Sequence, residues 1–399
     1  MKPRFLLNKL IDHSKEKEIT LLLGARQTGK TTLLKQLEGY LIKQRGTTSF
    51  FSLEDRTYLD AFDEHPKNLF QFIPLPEPGK TSFIFIDEVQ YLKDPSNFLK
   101  LIYDEHTPQI KLIVSGSSSF YIDKKFKDSL AGRKRIFHLP TMGFREFLYF
   151  RDYENIMDYV HSDFLPKLYL NDLKALFSEY LIYGGYPKVV TTSSLKKKKA
   201  VLKELASSYV KKDIEEASLR FPEIYLNMLK IISRQTGSLL NPNSISKALR
   251  IQYKTVELYL YVMQKSFHIG LIKPYYESAA TELRKMKKAY FLDLGLRNFF
   301  ASNFDSILLR DDRGELLENY VFRLFTDHYD IDWDIKFWRT QKKHEVDFLI
   351  QDKRAYEVKF SANLFKPYKY KFFKNKYPGI PLKLLTYDNV LEFDPDEAD

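Results

Sequence analysis

Over the first ~150 residues, short apolar runs alternate with stretches in which apolar positions recur every three or four residues. The runs predict strands at about 18–23, 48–53, 82–87, 111–116 and 135–139, and the helical spacing covers about 2–13, 30–44, 95–106 and 143–151. Strands that alternate with helices point to a parallel α/β sheet. From about 152 to 240 the spacing is helical, with Leu173, Leu176, Phe177, Tyr180 and Leu181 on one stripe, until Gly184-Gly-Tyr-Pro187 breaks it. A third pattern runs from Asn241 to about Phe300: a short helix (Pro242 to Leu249), a longer one (Lys254 to Met263), and strands at Leu271–Tyr275 and Lys288–Leu292. The last hundred residues read helix, strand, strand, helix, strand, then an acidic tail from Asp394 to Asp399. The expected segments are therefore 1–151, 152–240, 241–300 and 301–399.

At 399 residues the chain suggests two to three domains, and with 44% hydrophobic residues each can bury a core. The net charge of +11 suits a polyanionic partner, though a solvated lysine-rich surface gives the same figure. The absence of cysteine excludes disulfides and thiolate metal sites. No apolar run approaches the ~18 residues that span a bilayer, and the start of the chain does not read as a signal peptide. A cytoplasmic setting without a membrane partner is expected.

The strongest motif is Gly24-Ala25-Arg26-Gln27-Thr28-Gly29-Lys30-Thr31, followed by Thr32, at the junction of the first strand and the second helix. Glycines let consecutive N–H groups curl around a phosphate chain, and the helix N-terminus adds its dipole. Lys30 would reach the β- and γ-phosphates, and the Thr31 hydroxyl would ligate Mg²⁺. ATP with Mg²⁺ is the expected ligand.

A second element fits this site. Phe83-Ile-Phe-Ile86 is a buried strand that ends in Asp87 and Glu88. Asp87 would hold the Mg²⁺ shell and Glu88 would polarise the attacking water. The next strand delivers Ser115 and Ser117 to the edge where open α/β sheets place ligands; either senses the γ-phosphate, or both merely cap a helix. Arg133, just before the fifth strand, would stabilise transition-state charge in its own or a neighbour's site, bind DNA, or pair with Glu88.

Together with Leu-Ala-Gly-Arg133, Phe144-Arg-Glu-Phe and Gly-Gly-Tyr-Pro187, these motifs resemble the prokaryotic AAA+-type ATPases fused to a C-terminal nuclease-like domain. The resemblance covers nearly the whole chain. It implies an AAA+-like P-loop NTPase of the additional-strand, catalytic-glutamate topology. Leu139-Pro-Thr-Met-Gly143 departs slightly from the pattern usual there.

The fold class expected is thus α/β: a P-loop NTPase sheet, a helical and winged-helix region, and an α/β restriction-endonuclease-like domain. The segment 241–300 resembles a winged helix-turn-helix, with Tyr253, Lys254, Arg284 and Lys287 placed to touch DNA, or it serves only in packing. Farther on, Asp347 on one strand and Glu357-x-Lys359 on the next resemble the PD-(D/E)XK nucleases. There Asp347 and Glu357 would share Mg²⁺, Glu318 would complete its shell, Lys359 would orient or deprotonate water, and Arg339 would position phosphate. The run Lys366 to Lys376 interleaves bases with aromatics, which suits strand binding or a solvated face over a core. DNA is the expected macromolecular partner, a protein partner the alternative, and oligomeric state is open.

Overall fold

The computed structural model describes residues 2–74, 79–116, 130–160, 166–276, 282 and 285–396. The chain divides into two compact units. The first comprises Met1–Pro140 with Glu215–Ser218 and Lys265–Phe267; the second comprises Thr141–Ile214, Leu219–Gln264 and His268–Asp399.

In the first unit, β1 (Ile19–Leu23), β2 (Thr47–Ser52), β3 (Ser82–Asp87), β4 (Ile110–Gly116) and β5 (Lys134–His138) form a parallel sheet in the order β2-β3-β4-β1-β5. All five strands lie where the apolar runs predict them. Alternation sends Leu21, Leu23, Ile84, Ile86, Leu112 and Val114 to one face and Leu22, Phe85 and Ile113 to the other, and both faces are packed. That double burial is why these strands read as continuous apolar runs instead of alternating ones. Counting α-helices of six residues or more, α1 (Leu6–His13), α2 (Lys30–Lys43), α3 (Arg56–Glu64) and α4 (Pro95–His106) belong to this unit. Helix α3 was not anticipated; Asp55 starts it by accepting from the Thr57 N–H at 2.8 Å.

The second unit carries α5 (Phe144–Phe150), α6 (Leu170–Tyr183), most of α7 (Leu195–Glu216), α8 (Pro222–Arg234), α9 (Pro242–Leu249), α10 (Tyr253–Lys265), α11 (Leu294–Ala301), α12 (Arg313–Phe325) and α13 (Lys371–Lys376). Its strands are β6 (Ile269–Pro274), β7 (Lys288–Phe291), β8 (Ile335–Arg339), β9 (Glu345–Ile350), β10 (Arg354–Lys359) and β11 (Leu382–Thr386). They form one sheet in the order β11-β10-β9-β8-β6-β7.

This sheet corrects the expected segmentation. The β6–β7 hairpin does not close a separate module, because β6 pairs with β8 through Lys273↔Lys336 and Pro274↔Phe337. The boundaries at 240 and 300 therefore fall inside one unit, whose common core includes Phe177, Tyr180, Tyr290, Tyr320, Phe325 and Phe348. Strand β8 is one more than the two strands the pattern predicts between the helices of the last hundred residues.

Candidate functional site

Strand β1 ends at Leu23, and the loop Gly24–Gly29 turns directly into α2. Gly24 is required by a close approach: a Cβ there would lie 2.3 Å from the Leu139 carbonyl oxygen. Gly29 is required by its backbone, which has φ 96° at the N-cap. No side chain caps α2, so the N–H groups of its first turn remain available at the loop mouth. Lys30 is buried, its Nζ donating to the Gly24 and Ala25 carbonyls at 3.0 and 2.9 Å. Thr28 Oγ1 donates to the Ala25 carbonyl at 2.9 Å, and Arg4 donates to the Thr28 carbonyl at 2.7 Å, which fixes the loop from below. Arg26 is engaged by Glu216 in an ion pair. Gln27 takes a left-handed φ of 58°, and Thr32 follows Thr31 in the first turn of α2.

Topology brings the second motif to the same edge. Strand β4 lies between β1 and β3, with Leu22 beside Ser115 and Ile86 beside Val114. Thr31 Oγ1 donates to Asp87 Oδ2 at 2.6 Å, and the Ser115 hydroxyl donates to Asp87 Oδ1. The Glu88 N–H donates to Ser115 Oγ at 3.2 Å, while its carboxylate accepts from Gln90. Glu88 itself sits in the left-handed region (φ 59°, ψ 48°), a costly backbone for a non-glycine residue. The result is that a half-buried carboxylate is turned out at the end of a buried strand. Ser115 is therefore joined to the acidic pair, whereas Ser117 lies outside the described residues.

Arg133 is not brought to this edge. The Ile19 N–H donates to the Arg133 carbonyl at 2.7 Å, so Arg133 precedes β5 at the end of the sheet where β1 begins. A five-residue strand separates it from the loop, roughly 16 Å at 3.3 Å per residue. Its guanidinium is held by Asp104 near the end of α4, with Nε–Oδ1 2.6 Å and Nη2–Oδ2 3.1 Å. The expectations of a role in its own site and of a Glu88 pair are corrected by strand direction: the arginine enters the sheet where the nucleotide motifs leave it.

The second unit holds another charged centre, and it gathers the residues expected from the Glu-x-Lys motif. The β9–β10 register runs Tyr356↔Phe348, so Glu357 faces Asp347 at the next step. Asp347 Oδ2 accepts from the Val358 N–H at 2.9 Å and lies 3.6 Å from Lys359 Nζ, which also pairs with Glu357. Glu318 projects from α12 and accepts from the Tyr290 hydroxyl at 2.6 Å. Arg339 is engaged by Glu345. Burial and the neighbouring Asp347 charge raise Glu357 to about 8 against the opposing pull of Lys359, and raise Glu318 to about 7 against Lys288.

The sequence reading missed the group at the middle of this centre. Lys288 on β7 is 1% exposed, and its Nζ lies 2.7 Å from Glu345 Oε1, 3.2 Å from Glu318 Oε1 and 3.5 Å from Asp347 Oδ1. Burial alone would discharge it; the attraction of Glu318, Asp347 and Glu345 outweighs burial and raises its pKa. Alternation on β7 places Lys288 and Tyr290 on one face, which was the available signal. Nothing local tied that face to strands fifty residues later.

The two centres differ as hosts for a divalent cation. Around Thr31 and Asp87 the donors are oxygens at the mouth of a phosphate-type loop, which fits Mg²⁺ carried on a triphosphate. Around Asp347 and Glu357 the fit fails, because an ammonium already lies among the carboxylates. Among the described residues, no group of three or more Asp, Glu or His side chains is arranged to hold a metal ion. The expectation that Asp347 and Glu357 share Mg²⁺ is not matched by the residues present.

Comparison with known proteins agrees with the first centre. Residues 16–148 match the family model described as an AAA domain. The match supports a P-loop ATPase fold for this part of the chain. Residues 174–306 and 313–390 match two domains of unknown function, DUF8612 and DUF4143. The chain is similar to an uncharacterized protein of Methanocaldococcus jannaschii, 24% identical over 388 residues that cover 93% of this chain and 82% of that one. An uncharacterized protein of Haemophilus influenzae is 26% identical over 304 residues, covering 73% and 71%. Among solved structures, the RuvB Holliday junction branch migration motor of Thermotoga maritima overlaps 70% of this chain and 94% of its own, at 17% identity and a TM-score of 0.34. Among the described residues, no helix is long and apolar enough to cross a membrane.

Proposed function

We propose that this chain hydrolyses ATP in its AAA domain and uses the nucleotide state to control contact with DNA, without cutting it. The observation that carries the reading is the joining of Thr31, Asp87, Ser115 and Glu88 at one sheet edge beside an uncapped helix N-terminus. Mg²⁺, when bound with ATP, would neutralise charge on the β- and γ-phosphates. The chain's own residues would do the rest. The loop N–H groups and the α2 terminus bind phosphate oxygens. Lys30 leaves the Gly24 and Ala25 carbonyls for the phosphates. Glu88 orients the attacking water and accepts its proton, and Ser115 ties Glu88 to Asp87.

Two surfaces support the DNA part. Residues 358–387 hold seven lysines and no aspartate or glutamate, and within them Tyr368 and Phe372 are 62% and 50% exposed while Tyr370 and Phe373 are buried. Exposed rings among ammonium groups suit stacked bases and phosphates. In addition, α9 and α10 precede the β6–β7 hairpin in the order of a winged helix, with Tyr253 and Lys254 exposed at the start of α10; Arg284 lies outside the described residues.

The test is ATP turnover in wild type and Lys30→Ala, together with fluorescence anisotropy of labelled DNA at several salt concentrations. Turnover should vanish in Lys30→Ala, and DNA affinity should fall steeply with salt and differ between nucleotide-free and ATP-bound protein. Unchanged turnover sinks the site assignment. Salt-independent or absent DNA affinity transfers the C-terminal surfaces to a protein partner.

A further inference from the structure

We propose that the Lys288 ammonium is the resident cation of the second unit's carboxylate centre, filling the place that a divalent ion would need, and that removing it uncovers a divalent-cation site. The geometry is specific. Glu345 Oε1, Glu318 Oε1 and Asp347 Oδ1 lie at 2.7, 3.2 and 3.5 Å from one atom, Lys288 Nζ. Three carboxylate oxygens around a point is the donor set of a hard cation, which takes oxygens at about 2.0–2.6 Å. As they stand these carboxylates are not arranged to hold a metal ion; once the ammonium is gone, they would have to close inward by roughly 0.5–1 Å to reach such distances. The ammonium and a divalent ion cannot share the point, because both are cations and each needs the same oxygens.

Lys288 is also firmly held. It belongs to β7, which pairs with β6 at Ile272↔Lys288, and Leu239 bridges to it from the other side. The Phe337 ring centroid lies 5.4 Å from its Nζ, adding a cation–π contact. The Tyr290 hydroxyl donates to the same Glu318 oxygen that Lys288 uses. Lys359 serves the other end of the cluster, pairing with Glu357 and approaching Asp347 Oδ2 at 3.6 Å. Lys288, Lys359 and Arg339 thus stand against Glu318, Glu345, Asp347 and Glu357, an almost balanced set without any ion from solution. This assignment is independent of ATP hydrolysis in the first unit, so either can fail without the other.

The experiment is Mn²⁺ titration of nucleotide-free full-length protein, followed by the loss of the free-ion electron paramagnetic resonance signal. Wild type and Asp347→Asn should give the same isotherm. Lys288→Met should gain a single site, roughly ten-fold or more tighter than anything in wild type, and Lys288→Met with Asp347→Asn should lose it again. Lys288→Arg, which keeps the charge, should gain nothing. A wild-type site abolished by Asp347→Asn overturns the proposal, as does a folded Lys288→Met that gains no Mn²⁺. If circular dichroism shows that Lys288→Met does not fold, the wild-type and Asp347→Asn pair still decides: equal isotherms support the assignment, and a lost site refutes it.

Discussion

The two charged centres of this molecule use the same side chains to opposite ends. In the AAA domain, Asp87 meets two hydroxyls, Thr31 and Ser115, and the nearby Lys30 is turned onto the Gly24 and Ala25 carbonyls. The carboxylate is hydrogen-bonded, and among the described residues no cation is paired with it, so a cation arriving with a triphosphate finds a use for it. In the second unit, the ammonium groups of Lys288 and Lys359 lie directly on the carboxylates. That centre is saturated. Acids on adjacent strands therefore do not define a metal site; what matters is whether a protein cation reaches them first.

The sharpest way to break this contrast is at Glu88. Glu88→Gln should cut ATP turnover by about 10²–10⁴-fold while leaving ATP affinity nearly intact, since the change removes a proton acceptor and not a phosphate contact. Comparable loss of affinity would show that Glu88 acts in binding. On the other side, Lys288→Met leaves buried carboxylates without their counter-charge, which should destabilise the second unit by roughly 3–5 kcal/mol at pH 8. The cost should shrink at pH 5, where the carboxyls can take up protons instead. Chemical denaturation followed by tryptophan fluorescence measures this selectively, because both tryptophans, Trp333 and Trp338, lie in the second unit. An equal cost at both pH values would contradict the charge argument.

The two units should also answer pH with opposite signs. Glu318 and Glu357 are raised to about 7 and about 8, so between the ordinary carboxyl range and those values the folded chain holds more protons than the unfolded one. Stability from these groups is full at low pH and is lost as pH rises toward 8. In the first unit, burial first, then Lys111 and Arg135, lowers His13 to about 4, while Thr20 Oγ1 meets its Nδ1 at 2.8 Å. Its contribution is full above the ordinary histidine value and is lost as pH falls toward 4. Tryptophan-reported melting should therefore decline from pH 5.5 to 8.5, and Glu357→Gln should flatten that decline. The remaining far-ultraviolet dichroism transition should climb from pH 4.5 to 6.5, and a fall there would remove His13 from the account.

The contrast between the centres also marks what local sequence can carry. The loop, its flanking strand and helix, and the Asp87–Glu88 strand end were readable because each depends on neighbours in the chain: glycines where a Cβ or a negative φ is excluded, apolar runs where both sheet faces are buried. Asp347, Glu357 and Lys359 were readable for the same reason, by period-two alternation on adjoining strands. Lys288 was not, since its meaning comes from β7 joining a sheet whose other strands begin at Ile335. The same non-local pairing hid the unity of the second unit. Helix α3 carries a local signal in its Asp55 cap, whereas Ser117 lies outside the described residues.

Arg133 gives the smallest expected effect and the most pointed check on strand direction. A sequence reading that counts only proximity to β5 puts it near the nucleotide; the parallel register puts it at the sheet's other end, fastened to Asp104. Arg133→Ala should therefore leave turnover unchanged at protein concentrations where the chain is monomeric. The ion pair it removes is exposed, and such pairs add little to stability. If turnover nevertheless drops about ten-fold, and only at concentrations where chains associate, the arginine must be serving a neighbouring copy's nucleotide, because no route within one sheet connects it to Glu88. A drop in the monomer would instead contradict the sheet register itself, and with it the placement of Thr31, Asp87 and Ser115 at a common edge.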